Sequence, residues 1–202
     1  MRYRSLFFIL CGLYWFVVCG VAVAAPASPA ATVSDATDQQ YVQEILGMTN
    51  ARGLNNTEMD SLQKRAEQGY APAQYCLGIL YSGKRIGGVE REDSISKAFE
   101  WFQKAAVQGF AAAQFQLGMM YSSGYKVSEA YGGRVLVPED KGKAMEWYEK
   151  AAASGLTEAQ YKLGEMYEEG QDVTQNHGKA MEWMQKAAGQ GHEQAKQYLG
   201  WL

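Results

Sequence analysis

Two serine–lysine pairs, Ser61-Leu-Gln-Lys64 and Ser94-Ile-Ser-Lys97, have the spacing at which a helix sets an acylating serine one turn from a lysine base. The Ser-Asp-Asn and Lys-Thr-Gly elements that complete a lactam-directed or cell-wall serine hydrolase are absent. Both strings fall at expected helix starts, where serine caps and lysine faces water. His177 and His192 are the two histidines, and neither joins a cluster with metal-ligand spacing, so no metal is expected. Both histidines read as exposed, His177 in a loop before a helix and His192 between two helices. Cys11 and Cys19 lie in an apolar leader, which leaves Cys76 without an internal disulfide partner and reads it as a small, partly buried helix residue, with an intermolecular bridge as the alternative. The acid pairs Glu139-Asp140 and Glu168-Glu169 sit at loop ends as solvated or capping groups. No catalytic residue and no cofactor are therefore expected, with a serine hydrolase kept as the alternative that the two Ser-x-x-Lys strings support.

The leader has the form of an export signal. Arg2 and Arg4 precede a nearly continuous apolar run, Leu6 to Val23, and Ala22-Val23-Ala24 supplies small residues for cleavage. Residues 1–24 are read as a signal peptide cleaved near Ala24/Ala25, giving a periplasmic or secreted protein; an uncleaved membrane anchor is the alternative for a run of this length. Residues 25–37, small and polar with two prolines, form a flexible linker. Without Arg2 and Arg4, the 19 basic residues fall to 17 against 22 acidic, a net charge of about -5. No basic stripe is present to neutralise phosphates, which argues against a nucleic-acid partner.

Beyond the linker the chain repeats itself. Lys64-Arg-Ala-Glu-Gln-Gly69, Lys104-Ala-Ala-Val-Gln-Gly109, Lys150-Ala-Ala-Ala-Ser-Gly155 and Lys186-Ala-Ala-Gly-Gln-Gly191 align, and nine residues after each glycine comes Gly78, Gly118, Gly164 or Gly200. A leucine precedes each of these second glycines, and Trp101, Trp147 and Trp183 stand eight residues before the first glycine of their units. The units are offset by 40, 46 and 36 residues, so the first two offsets carry insertions of 4 and 10. Such a period marks a solenoid.

Within a unit, Ala98, Trp101, Phe102, Ala105 and Ala106 follow the i, i+3, i+4, i+7, i+8 pattern of one helix face, helix A. The first glycine closes it in a left-handed conformation. Helix B follows at once, with Leu77 or Leu117 on its inner stripe and, in the first unit, Pro72 in its opening turn. The second glycines fall inside helix B, where glycine costs about 1 kcal/mol relative to alanine. That cost implies close approach by the Trp and Tyr rings of helix A or of a neighbouring unit. Residues 38–52 read as a degenerate half-repeat capping the amino end, with Thr57-Glu-Met-Asp60 as a capping-box-like start to the next helix. The last helix B is short, and leaves an apolar tip at Trp201-Leu202.

The run Lys143-Ala-Met-Glu-Trp-Tyr-Glu-Lys-Ala-Ala-Ala-Ser-Gly155, continued by Ala159-Gln-Tyr-Lys-Leu-Gly-Glu-Met-Tyr-Glu-Glu-Gly170, resembles the Sel-one-like repeat, a relative of the tetratricopeptide repeat. The same pattern recurs in Lys97 to Gly124 and Lys179 to Leu202 and, more weakly, in Ser61 to Gly83. The resemblance implies an all-α fold, a right-handed α/α solenoid of antiparallel helix pairs occupying residues 38–202, with repeats near 58–83, 95–124, 141–170 and 178–202. It further implies an adaptor or regulator that binds protein, as many members in the bacterial envelope do. Secreted members linked to penicillin binding carry a cysteine pair in each repeat, which this chain lacks. Other exported members resemble immunity proteins that neutralise a lipase or similar toxin in the periplasm.

The insertions are the candidate binding elements. Tyr125-Lys-Val-Ser-Glu-Ala-Tyr-Gly-Gly-Arg-Val-Leu-Val-Pro138 alternates partly in polarity around Gly132-Gly133, as a small hairpin does. Lys84 to Glu90 forms a shorter loop, and successive loops of a solenoid emerge along one edge. Tyr125, Tyr131, Arg134, Leu136 and Arg85 are the candidate partner-binding residues, since Tyr and Arg anchor interfaces. The competing reading folds the hairpin back on its own repeat. The expected function is an exported module that binds one protein, as inhibitor, immunity protein or adaptor, through its concave face and long loops. A self-associating envelope factor remains a further alternative.

Overall fold

The computed structural model describes residues 36–83, 91–126, 133–170 and 173–201, all within the unit Ala31–Leu202. The signal peptide expected at residues 1–24 lies outside them. Nine helices and one two-stranded hairpin are present among the described residues. Helix α1 (Ala36–Arg52) is followed by four pairs: α2 (Asn56–Glu67) with α3 (Ala71–Gly83), α4 (Arg91–Val107) with α5 (Ala111–Ser123), α6 (Lys141–Ala153) with α7 (Thr157–Glu169), and α8 (His177–Gly189) with α9 (Glu193–Leu199). Strands β1 (Tyr125–Lys126) and β2 (Val135–Val137) lie between α5 and α6. From α2 onward each helix packs on the next, the fold of an α/α solenoid. None of the described helices is long and apolar enough to cross a membrane.

Each A-to-B turn closes in the same way. Gly69, Gly109, Gly155 and Gly191 have φ between 88 and 96°, and in the second unit Gly109 N–H donates to Ala106 O (3.0 Å) and Phe110 N–H to Ala105 O (3.2 Å). This paired closure uses the last free carbonyls of helix A and lets helix B begin at once. Alanines at the crossings, among them Ala73, Ala105, Ala113, Ala151 and Ala159, are fully buried and bring the backbones close.

The closest approach is between units. A side chain at Gly78 would collide with the ring of Phe102, one at Gly118 would come within 2.5 Å of the Tyr148 ring, and one at Gly164 within 2.9 Å of Met184. Helix B of one unit thus receives a large side chain from helix A of the next. Burying a ring this way contributes about 2–3 kcal/mol, more than the roughly 1 kcal/mol a mid-helix glycine costs. The incoming residue is the one after the tryptophan: a tyrosine of the neighbouring unit, Tyr148, fills the role as expected at Gly118, but Trp101, Trp147 and Trp183 do not. Gly200 departs from the pattern too: with φ 68° it closes α9 instead of lying inside it.

A second link joins consecutive units through glutamine. Gln74, Gln114 and Gln160 are buried, and each donates from Nε2 to a carbonyl at the end of its own helix A: Ala66 (3.0 Å), Ala106 (3.2 Å) and Ala152 (3.3 Å). The Oε1 atoms of Gln74 and Gln160 accept from Gln108 and Gln190 of the following unit, both at 2.7 Å.

At the amino end, α1 packs on α3 and buries Val42 and Ile45. Tyr70 meets Tyr41 edge-on and donates its hydroxyl to Asp38 (2.7 Å); burial, then this bond, pushes its pKa up to about 12. A methyl group at Gly47 would have nothing within 4 Å, so this glycine does not repeat the role of Gly78. Helix α2 is capped by Asn55, which exchanges hydrogen bonds with Glu58, two residues earlier than the box expected at Thr57.

Candidate functional site

The ten-residue insertion forms a hairpin on an unchanged base. Gly124 ends α5 at φ 59°, β1 pairs antiparallel with β2 so that Tyr125 faces Val137, and Asp140 N–H donates to Tyr121 O (2.9 Å). The uninterrupted α7–α8 connection closes identically, Asn176 N–H on Tyr167 O (2.8 Å). Asp140 and Asn176 then cap their helices through the amides of Lys143 (2.9 Å) and Lys179 (3.0 Å). Strand β2 packs against α4 with Val137 fully buried. The base of the hairpin therefore folds back on its own unit. Of the candidate binding residues, Tyr125 (37% exposed) and Arg134 are exposed and Leu136 is half-buried, while Tyr131 and Arg85 lie outside the described residues. Val135, 47% exposed on the same strand, joins them and was not among the expected set.

A larger regular feature lies on the A helices. Lys97-Ala-Phe-Glu-Trp-Phe-Gln-Lys104, Lys143-Ala-Met-Glu-Trp-Tyr-Glu-Lys150 and Lys179-Ala-Met-Glu-Trp-Met-Gln-Lys186 place the same four groups on α4, α6 and α8. In each, the tryptophan is half-buried, and the lysine three residues on lies over its ring: Lys104 on Trp101 at 4.0 Å, Lys150 on Trp147 at 4.1 Å, Lys186 on Trp183 at 3.9 Å. The first lysine of each quartet lies over the tyrosine of the preceding helix B: Lys97 on Tyr81 (5.6 Å), Lys143 on Tyr121 (5.4 Å), Lys179 on Tyr167 (4.9 Å). Glutamate four residues before lysine ordinarily pairs with it along a helix. Here Glu100, Glu146 and Glu182 make no ion pair with Lys104, Lys150 and Lys186 among the described residues, because the ammonium turns to the indole. Between α6 and α8 this face forms a groove of about 350 Å³ lined by Glu149, Ala153, Tyr167, Lys179, Glu182 and Trp183. In α2, Ser61 takes the tryptophan position, so the first unit lacks the motif.

The Sel1 repeat profile matches residues 71–110, 111–156 and 157–192. The chain belongs to the Sel1 repeat family. The profile frames each Sel1 repeat as a helix B followed by the next helix A, the pairing in which Gly78, Gly118 and Gly164 receive their partners. Among solved structures, the chain is similar to c5321, a protective antigen of uropathogenic Escherichia coli with an SLR fold, at 31% identity over 81% of this chain and TM-score 0.62. It spans about a third (33%) of the length of that protein. It is also similar to a Sel1 repeat protein from Oxalobacter formigenes, at 35% identity over 71% of this chain and 98% of the other, TM-score 0.58. Immunity protein Pa5087 from Pseudomonas aeruginosa matches at 22% identity over 80% of this chain and 69% of the other with TM-score 0.37, a distance at which the likeness carries no argument about role. No curated protein matches the chain.

The remaining chemistry-bearing residues of this Sel1 repeat protein are dispersed. Ser61 is exposed in the middle of α2, and Ser94 is buried (3%) within α4 with no hydrogen-bond partner for its hydroxyl among the described residues; neither caps a helix as expected. Cys76 is fully buried, and burial pushes its thiol up to about 12. His192 lies between α8 and α9 as expected but is half-buried, not exposed: it caps α9 through Ala195 N–H (3.4 Å) and stacks on Tyr161 at 4.2 Å. His177, the first residue of α8, meets Glu168 at 3.0 Å, and Tyr198 donates to the same carboxylate at 2.7 Å. Among the described residues no group of three or more His, Cys, Asp or Glu is placed to hold a metal ion.

Proposed function

We propose that this Sel1 repeat chain is an exported protein-binding module that engages one partner through its concave face and its hairpin, as an inhibitor, immunity protein or adaptor. The observation that carries the reading is the hairpin itself: Val137 locks its base into the core while Tyr125, Arg134 and Val135 stay exposed. An exposed aromatic and a guanidinium on one hairpin have the composition of an interface centre. The export half of the reading rests on Arg2, Arg4 and the apolar run that follows.

The test uses the full chain and a Tyr125→Ala/Arg134→Ala/Val135→Ala variant as bait for the envelope and secreted fractions of the source cell. These substitutions leave Val137 in place, whereas deleting the hairpin through Val137 removes a core residue. A stoichiometric protein captured by the native chain should bind the variant with a loss of about 2 kcal/mol or more. Equal capture by both overturns the assignment of the hairpin.

A second reading, self-association, is favoured by Trp201 (56% exposed) and Tyr198 (43% exposed) near the end of α9. It predicts concentration-dependent oligomers that Trp201→Glu abolishes.

A further inference from the structure

The A-helix quartets specify the chemistry of what lies across them. Resting on the protein-binding reading, we infer that the face formed by α4, α6 and α8 binds an extended protein segment in which acidic side chains alternate with apolar ones.

Three observations on the quartets carry this. First, Lys104, Lys150 and Lys186 are held at 3.9–4.1 Å over indole rings and make no ion pair among the described residues, although a glutamate stands four residues before each. A ring face orients the ammonium while leaving its remaining N–H donors toward solvent, so a carboxylate arriving from outside meets a cation already in position. Second, the α4 and α8 quartets each carry two lysines to one glutamate, while Glu149 balances the α6 quartet, which leaves a local excess of positive charge across the three on a chain whose net charge is -3. Lys143 already pairs with Asp140 at 3.2 Å, but the anions complementary to Lys104, Lys150 and Lys186 must come from another molecule. Third, Glu100, Glu146 and Glu182 interrupt the cationic rows on every A helix. A uniformly charged polymer such as nucleic acid would set phosphates against those carboxylates. A polypeptide avoids them by placing apolar residues there, and the groove of about 350 Å³ beside Ala153, Tyr167 and Trp183 accepts such residues.

The identical groups on three successive A helices favour a linear ligand that meets the same chemistry at each step. They also set its limit, since Ser61 and Thr57 replace the tryptophan and the first lysine on α2. The segment therefore ends its contacts at α4.

Phage-displayed random dodecapeptides panned against the full chain test this directly. Enriched sequences should alternate Asp or Glu with apolar residues and should weaken as salt rises. They should lose about tenfold or more in affinity for Lys104→Glu/Lys150→Glu/Lys186→Glu and keep it for Lys104→Arg/Lys150→Arg/Lys186→Arg, which holds the charge over the ring. Circular dichroism of both variants secures the comparison. Basic or uncharged consensus sequences, acidic ones indifferent to the charge reversal, or no enrichment at all would each overturn the inference. The broader protein-binding reading falls separately, on equal capture by the native chain and the hairpin variant.

Discussion

The buried amide oxygen of Gln114 accepts no hydrogen bond among the described residues, and the residue at the matching position of the next unit is Ser154. In the flanking junctions Gln108 and Gln190 occupy the position of Ser154 and donate to Gln74 and Gln160 at 2.7 Å. Gln114 Oε1 has no partner among the described residues, although its Nε2 still reaches Ala106 O at 3.2 Å. A buried acceptor left unpaired costs about 1–3 kcal/mol. Ser154→Gln should restore the missing link and raise the melting temperature by roughly 2–4 °C for each kcal/mol regained. Thermal unfolding followed by circular dichroism reads it, and an unchanged or lower midpoint would count against the glutamine link as a stabilising contact.

Glycine to alanine should have three different outcomes at three helical sites. At Gly118 the new methyl meets the stiff Tyr148 ring within 2.5 Å, which predicts destabilisation of about 1–3 kcal/mol. At Gly164 it meets the flexible Met184 at 2.9 Å, and the loss should be smaller. At Gly47 nothing lies within 4 Å, so alanine should stabilise by up to about 1 kcal/mol through helix propensity alone. Urea denaturation of the three variants orders them.

Alkaline pH should weaken the inter-unit packing. Burial pushes Tyr148 up to about 12 from an ordinary value of 10.0, so the unfolded chain releases this proton first. The associated stability is complete below pH 10 and is lost as pH rises toward 12. Phenolate absorbance should show Tyr148 and Tyr70 titrating above the ordinary value of 10.0, toward about 12, and Tyr148→Phe should flatten that part of the stability profile.

Acid should loosen α9. Hydrogen bonds from Tyr198 and then His177 hold Glu168 below its ordinary value of 4.5. Their stabilisation is present above that pH and disappears as pH falls through the lowered folded value. Amide exchange in residues 193–199 should rise over this range in the native chain. Glu168→Gln should show no such rise.

The repeat was legible because its signals are local. Gly109 and Gly155 announce their turns by type and position, and the offsets between them measured the insertions before any helix was placed. Contacts between units were less legible. Periodicity puts both Trp101 and Phe102 on the inner side of helix A, but which of them enters the preceding helix B depends on the crossing angle. The lysine at i+3, drawn to the indole, keeps the tryptophan at the surface. The fault at Gln114 was invisible for a related reason: Ser154 is an ordinary residue before a turn glycine, and only the glutamine links made from the same position by Gln108 and Gln190 give it meaning. His192 illustrates the converse, a turn residue that reads as exposed until the Tyr161 ring is found beneath it.

The bonds from Asp140 to Tyr121 and from Asn176 to Tyr167 act as one staple applied to connections of very different length. Beyond Val137 and its strand, which pack on α4, the solenoid is therefore mechanically blind to what emerges between the two stapled residues. Foreign sequence grafted in place of residues 127–132 would be carried as cargo on a frame whose stacking does not register it, which makes this junction a socket through which a new specificity is acquired without rebuilding the fold.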